Sequence, residues 1–149
     1  MKCWMKKVTA IILVTCLSAI GFYCMPVSAA FDEGIMPCYN NTESATISMS
    51  INDSGTMTIS YRVTGYPSKT TKIMINSYIE KRTLGIFWSR VDNGETNEEW
   101  VDIINDYRYT GSRTFKLSST GTYRVKTTYK IYGTGGSVDE ISCEVKDTY

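Results

Sequence analysis

The chain has 149 residues, with 16 Lys and Arg against 15 Asp and Glu, 42% hydrophobic residues and no histidine at all. So even a balance argues against nucleic acid as a partner, and no polybasic run marks an anionic membrane surface. The missing imidazole excludes Ser–His and Cys–His nucleophilic catalysis and leaves only lysine- or carboxylate-based versions.

The chain opens on Lys2, Lys6 and Lys7, followed by an uncharged stretch from Val8 to Tyr23 and then Pro26-Val27-Ser28-Ala29-Ala30. A basic start, a short apolar run and small residues at the −3 and −1 positions predict a cleavable secretory signal peptide over residues 1–29. Val27 and Ala29 fit cleavage after Ala29, and Ser28 and Ala30 fit cleavage after Ala30. An uncleaved anchor is the competing reading, but the run falls short of the about 20 residues of a spanning helix and contains Thr15, Ser18 and Gly21. The predicted location is therefore secreted and extracellular, without stable membrane insertion once the leader is gone. Lys2, Lys6 and Lys7 leave with it, so thirteen Lys and Arg face fifteen Asp and Glu, a net charge near −2. Cys3, Cys16 and Cys24 leave too, and the remaining Cys38 and Cys143, one near each end, read as a disulfide in an exported domain. Two separate thiols are the alternative.

Residues 30–43 are polar and mixed and are expected to be extended. From residue 44 to 149 the pattern is that of a β domain. Ala45, Ile47, Met49 and Ile51 alternate with polar residues, Asn52-Asp53-Ser54-Gly55 supplies a turn, and Met57, Ile59, Tyr61 and Val63 alternate in return. This period of two predicts a hairpin. A third strand is expected over Lys72 to Arg82 with Ile73, Ile75 and Ile79 on one face, then a break at Leu84-Gly85 and a β segment from Ile86 to Val91. The stretch Asn97 to Tyr107 is open between helix and strand. Trp100, Ile104 and Tyr107 have helical spacing, while Val101 and Ile103 alternate.

Phe115 and Leu117 alternate before the turn Ser118 to Gly121, and Tyr123, Val125, Thr127, Tyr129 and Ile131 share one face. After the Gly133 to Ser137 loop, Ile141, Cys143 and Val145 share a face of the last strand. A register that sets Tyr132 opposite Val138 also sets Lys130 against Glu140, Lys126 against Glu144, Tyr129 against Ile141 and Val125 against Val145. Opposite charges then pair outside and apolar residues inside, each pair contributing about 0.2–1 kcal/mol. Such a register makes those charges structural. About seven short strands with frequent turns and no long helix predict an all-β fold, an antiparallel β-sandwich.

Several short motifs carry a resemblance. Ile35-Met36-Pro37-x-Tyr39, the Ser/Thr-rich hairpin, Ile79-Glu80-Lys81-Arg82, the Trp-led Trp100 to Ile103 and Gly121-Thr-Tyr-Arg-Val-Lys126 together resemble small secreted β-sandwich proteins of Gram-positive, clostridial-type bacteria. That family is known as a domain of unknown function. The resemblance implies compartment and fold, tilts Asn97 to Tyr107 toward a strand, and supplies no site residues. The chain departs from the family pattern between Leu84 and Asn97, where Phe87 and Trp88 are extra.

No glycine-rich phosphate loop, dinucleotide fingerprint or metal-ligand spacing stands in the sequence, so no cofactor, metal site or catalytic residue is expected. The carboxylates between Asp92 and Asp106 read as a solvated surface before they read as a glycosidase pair or a calcium loop. Trp88, Trp100, Tyr107 and Tyr109 fall in or beside the irregular middle region. They are the candidate ligand contacts, a platform for a cell-surface glycan or protein. The alternative is that both tryptophans plug one end of the sandwich. The expected function is a secreted non-enzymatic binding or structural module at or beyond the cell surface. The runner-up is an antimicrobial or toxin-like effector.

Overall fold

The computed structural model describes residues 39–149. The signal peptide, residues 30–38 of the extended segment and Cys38 of the expected disulfide lie outside the described residues. Eight strands follow in order: β1 (Thr42–Ile51), β2 (Thr56–Gly65), β3 (Thr70–Thr83), β4 (Phe87–Arg90), β5 (Trp100–Ile104), β6 (Arg108–Lys116), β7 (Thr122–Gly133) and β8 (Asp139–Thr148). The segment open between helix and strand forms β5, preceded by a three-residue 3-10 turn at Thr96–Glu98.

The alternating apolar pattern is clearest in β2, β3 and β7. Met57, Ile59, Tyr61 and Val63 of β2 are buried, and so are Ile73, Ile75 and Ile79 of β3 and Tyr123, Val125, Tyr129 and Ile131 of β7. Each strand thus has one apolar face, and two such faces shed water by closing on each other. One sheet has the order β1-β2-β6. The other follows the path β4-β3-β7-β8, with β5 also paired to β3. Strands β4 and β5 share one edge of β3, β5 along Ile73 to Ser77 and β4 along Glu80 to Thr83. All pairings are antiparallel.

The β7–β8 hairpin has the expected register. Val125 faces Val145, Lys126 faces Glu144, Tyr129 faces Ile141 and Lys130 faces Glu140. Lys130 and Glu140 form an ion pair of 3.4 Å, and Lys126 lies 3.9 Å from Glu144.

Each open side of the sandwich has its own closure. Where β6 lies over β5, the Arg113 guanidinium binds the Asp102 carboxylate across the two sheets, beside a T-shaped contact between Trp100 and Phe115 with ring centroids 6.1 Å apart. Where β1 packs over β8, two aspartates of β8 hold both ends of β1. The buried Asp139 accepts the backbone N–H of Asn40 (3.0 Å) and Asn41 (2.7 Å) and the Thr42 hydroxyl (2.9 Å), while Asp147 accepts the Ile51 N–H at 2.8 Å.

Candidate functional site

The four aromatic residues expected to form a platform do not converge. Trp100 is 6% exposed and faces inward, so it belongs to the core and offers little of its ring to a ligand. Its inward direction follows from pairing with the buried Ser77, which leaves Val101 and Ile103 of β5 pointing outward, 51% and 60% exposed. Tyr107 is half-buried just before β6, where its carbonyl accepts the Gly65 N–H. Tyr109 is half-buried on β6 and packs against the core with its hydroxyl over Gly111. Of the four, only Trp88 lies on the outer face of the larger sheet, opposite Arg82.

Cations cover the aromatics of that face. The Arg124 guanidinium sits 4.2 Å from the Trp88 ring centroid and the Lys146 ammonium 5.9 Å from it. Arg90 covers Tyr78 at 3.2 Å and Lys72 covers Tyr132 at 4.0 Å. Arg124 also bridges Glu80 and Glu144. Hydrogen bonding from Lys146, then the charges of Arg124, Lys146 and Lys126, hold the Glu144 carboxyl below the usual carboxylate range against a smaller opposing effect of burial. A ring already capped by a guanidinium stabilises the sheet surface and offers less area for stacking on a sugar. A groove of about 330 Å³ runs over this face past Tyr78, Lys126, Thr128, Ser142 and Glu144.

Beyond Trp88 the β3–β4 hairpin outruns the sheet. The last rung between β3 and β7 is Lys81 with Tyr123, but β3 continues to Thr83 and turns back into β4 at Phe87. The Ile86 N–H donates to the Thr83 carbonyl and closes the turn, whose central residues Leu84 and Gly85 both have positive φ, 52° and 71°. That pattern is typical of two-residue hairpin turns, which favour Asn-Gly or Gly-Gly because left-handed backbone crowds a side chain. A leucine is the unusual occupant. Leu84, Ile86 and Phe87 are 85%, 73% and 62% exposed, and a Cβ on Gly85 would meet no atom within 4 Å. The tip is an apolar projection into solvent.

The sequence marks Leu84-Gly85 as a break and Ile86 to Val91 as a β segment, of which Phe87–Arg90 forms β4. The signal for a projecting tip was a tight turn made and flanked by Leu84, Ile86 and Phe87, with no β partner in the sequence to cover them.

Ionisable groups in the interior serve packing. Burial pushes the Cys143 thiol up, and its side chain lies half-buried among the residues against the core. Burial likewise raises the Tyr61 and Tyr129 hydroxyls; that of Tyr129 donates to the Thr46 carbonyl. Among the described residues no group of three or more His, Cys, Asp or Glu could hold a metal ion, and no helix is long and apolar enough to cross a membrane. The chain matches no protein-family model, and no curated protein matches it in sequence.

Proposed function

We propose that the protein is an exported, non-enzymatic binding module that works at or beyond the cell surface of a bacterium. The observation that carries this reading is the β3–β4 hairpin. Its turn holds Leu84 at positive φ and its tip leaves Leu84, Ile86 and Phe87 in water. Exposing three large apolar side chains together, one of them in a strained backbone, disfavours the isolated molecule and is consistent with a partner that covers them. Export is supported by the basic, apolar and small-residue order of residues 2–30, and a Cys38–Cys143 disulfide by the pair that would remain after cleavage.

The test is retention on whole cells and on their isolated cell-wall glycans. Wild type is expected to be retained on one or both, Leu84→Ser/Ile86→Ser/Phe87→Ser to be lost, and Trp88→Ala to be reduced. Equal retention of wild type and the triple variant removes the hairpin from the reading. Mass spectrometry of natively produced protein under non-reducing conditions checks both the leader and the disulfide.

The second reading, an effector against competitor cells, is favoured by the same apolar tip, because a membrane-seeking surface is what such a protein requires. Growth inhibition of neighbouring species by purified protein separates the two.

A further inference from the structure

We infer that the occupant of the β3–β4 hairpin is the interface of an anionic lipid bilayer, into which the tip dips as a shallow and reversible contact. This inference rests on the binding-module reading above and names its partner. A lipid surface fits better than a protein pocket because the chemistry is graded by depth along the hairpin. Leu84, Ile86 and Phe87 form the apex. One rung behind, Trp88 stands opposite Arg82, and further back Lys81 faces Ser89 and Glu80 faces Arg90. An apolar apex backed by a rung that joins tryptophan to arginine follows a bilayer read outward from the acyl chains to the interface, where both residue types reside.

The lengths agree as well. Gly85 lies three residue steps beyond Arg82, about 10 Å of extended chain at most, and interfacial segments bury their apolar side by about 5–10 Å. With Arg82 at the phosphates, the apex reaches just under the headgroups.

The charge around the tip has the sign such a surface requires. No carboxylate occurs between Lys81 and Val91. Among the described residues neither Lys81 nor Arg82 takes part in an ion pair; Lys81 donates to the Ser119 hydroxyl and lies 5.5 Å from the Tyr123 ring centroid, while Arg82 is exposed. Glu80, the nearest acid in sequence, is neutralised by Arg124. Behind the tip Lys81 and Arg82 are thus the cations without an acidic partner, while Arg90 is paired with Glu99 and Arg124 with Glu80. Juxtamembrane cations of this kind add to insertion and make it depend on salt and on anionic lipid.

The test uses protein purified from producing cells, in the processed form they yield, and sedimentation with vesicles. One set is phosphatidylcholine alone and the other contains a large fraction of phosphatidylglycerol. Wild type is expected to sediment with the anionic vesicles, about tenfold less with neutral ones, and less again in high salt. Leu84→Ser/Ile86→Ser/Phe87→Ser is expected to lower partition on anionic vesicles by roughly a hundredfold. Leu84→Gly, which relaxes the turn and keeps the fold, should lower it severalfold, and Lys81→Gln/Arg82→Gln should remove most of the salt dependence. A melting midpoint no lower than that of wild type for each variant keeps loss of binding separate from loss of fold. No sedimentation of wild type with anionic vesicles, or equal sedimentation of wild type and the triple variant, overturns the inference. Should that happen while delipidated cell walls still retain wild type and release the triple variant, the binding module stands with a non-lipid partner. Should the walls also fail to distinguish them, both readings fall.

Discussion

Leu84 and Thr127 show how single residues depart from what packing alone prefers. A non-glycine residue in left-handed backbone costs about 1–2 kcal/mol, and Leu84 at φ 52° gains nothing in return from burial. Replacing it with glycine removes that strain but adds freedom to the unfolded chain, which takes back part of the gain. Leu84→Gly is therefore expected to stabilise by about 0.5–1 kcal/mol, read as a higher urea midpoint with an unchanged slope. A loss of stability would show that the turn tolerates leucine without strain. Inside the sandwich, Ser77 and Thr127 are neighbours on β3 and β7, both buried, and neither hydroxyl has a hydrogen-bond partner. The buried Tyr61 hydroxyl approaches Ser77 from the facing sheet without completing a hydrogen bond. A buried hydroxyl that makes no hydrogen bond has lost water without compensation, by about 1–3 kcal/mol. Valine has nearly the shape of threonine, so Thr127→Val is expected to stabilise by about 1 kcal/mol, measured by thermal or urea unfolding.

The elements differ in how openly the sequence declares them, and the β7–β8 hairpin declares itself most. Its inward residues are apolar on both strands, and its outward charges agree with only one register, so alternation and electrostatics point the same way. The energies still differ along the face. Lys130 and Glu140 are mostly solvated, with side chains 39% and 59% exposed, so a double-mutant cycle is expected to give at most about 0.5 kcal/mol. Arg124 and Glu80, at 15% and 13%, are largely withdrawn from water, and their cycle is expected to exceed the first by at least about twofold. Glu144 adds a pH dependence. Its folded carboxyl lies below the ordinary 4.5, chiefly through the hydrogen bond from Lys146, so its contribution is present above that value and is lost as pH falls through the lowered one. Glu144→Gln is expected to flatten the fall in urea midpoint below about pH 4.5. Strand β6 was far less visible. Two of its inward positions are Gly111 and Arg113, so the apolar alternation breaks between Tyr109 and Phe115. The glycine leaves room for the Tyr109 hydroxyl and the arginine is satisfied across the sheets by Asp102, both facts of tertiary placement. The same limit hid the candidate site. Aromatic residues close in sequence suggested one platform, but β5 turns Trp100 inward and β4 turns Trp88 outward, and a one-residue difference in parity is invisible until the pairing partners are known.

At the scale of the whole molecule, two sheets with apolar inner faces need something to fix how they lie on each other, because hydrophobic contact is not directional. Along one side this orientation comes from Arg113 and Asp102, and along the other from the two aspartates of β8 that hold the ends of β1. The two aspartates are not equivalent. Asp139 is buried and accepts three donors from Asn40, Asn41 and Thr42. The same corner is reinforced by Asn41, whose amide donates to the Ser137 carbonyl at 2.8 Å and accepts the Gly135 N–H at 3.0 Å, and whose carbonyl accepts the Thr70 hydroxyl. Asp147 accepts the Ile51 N–H from the facing sheet and, on its own strand, the Thr148 N–H. Truncating Asp139 leaves the buried Asn41 amide, the buried Thr42 hydroxyl and the part-buried Asn40 amide without an acceptor, the two buried groups at about 1–3 kcal/mol each, and detaches β1 from β8 at its start. Asp139→Ala is therefore expected to destabilise by about 3 kcal/mol or more, and Asp147→Ala by about 1 kcal/mol, in urea unfolding followed by tryptophan fluorescence. Native-state hydrogen exchange should show the consequence in space, with the amides of β1 losing protection in Asp139→Ala while β3 and β7 keep theirs. Equal costs for the two truncations would mean that the β1 edge is held by apolar packing of Ile47, Met49 and Ile51 alone, and that the polar corner merely follows where the sheets have already settled.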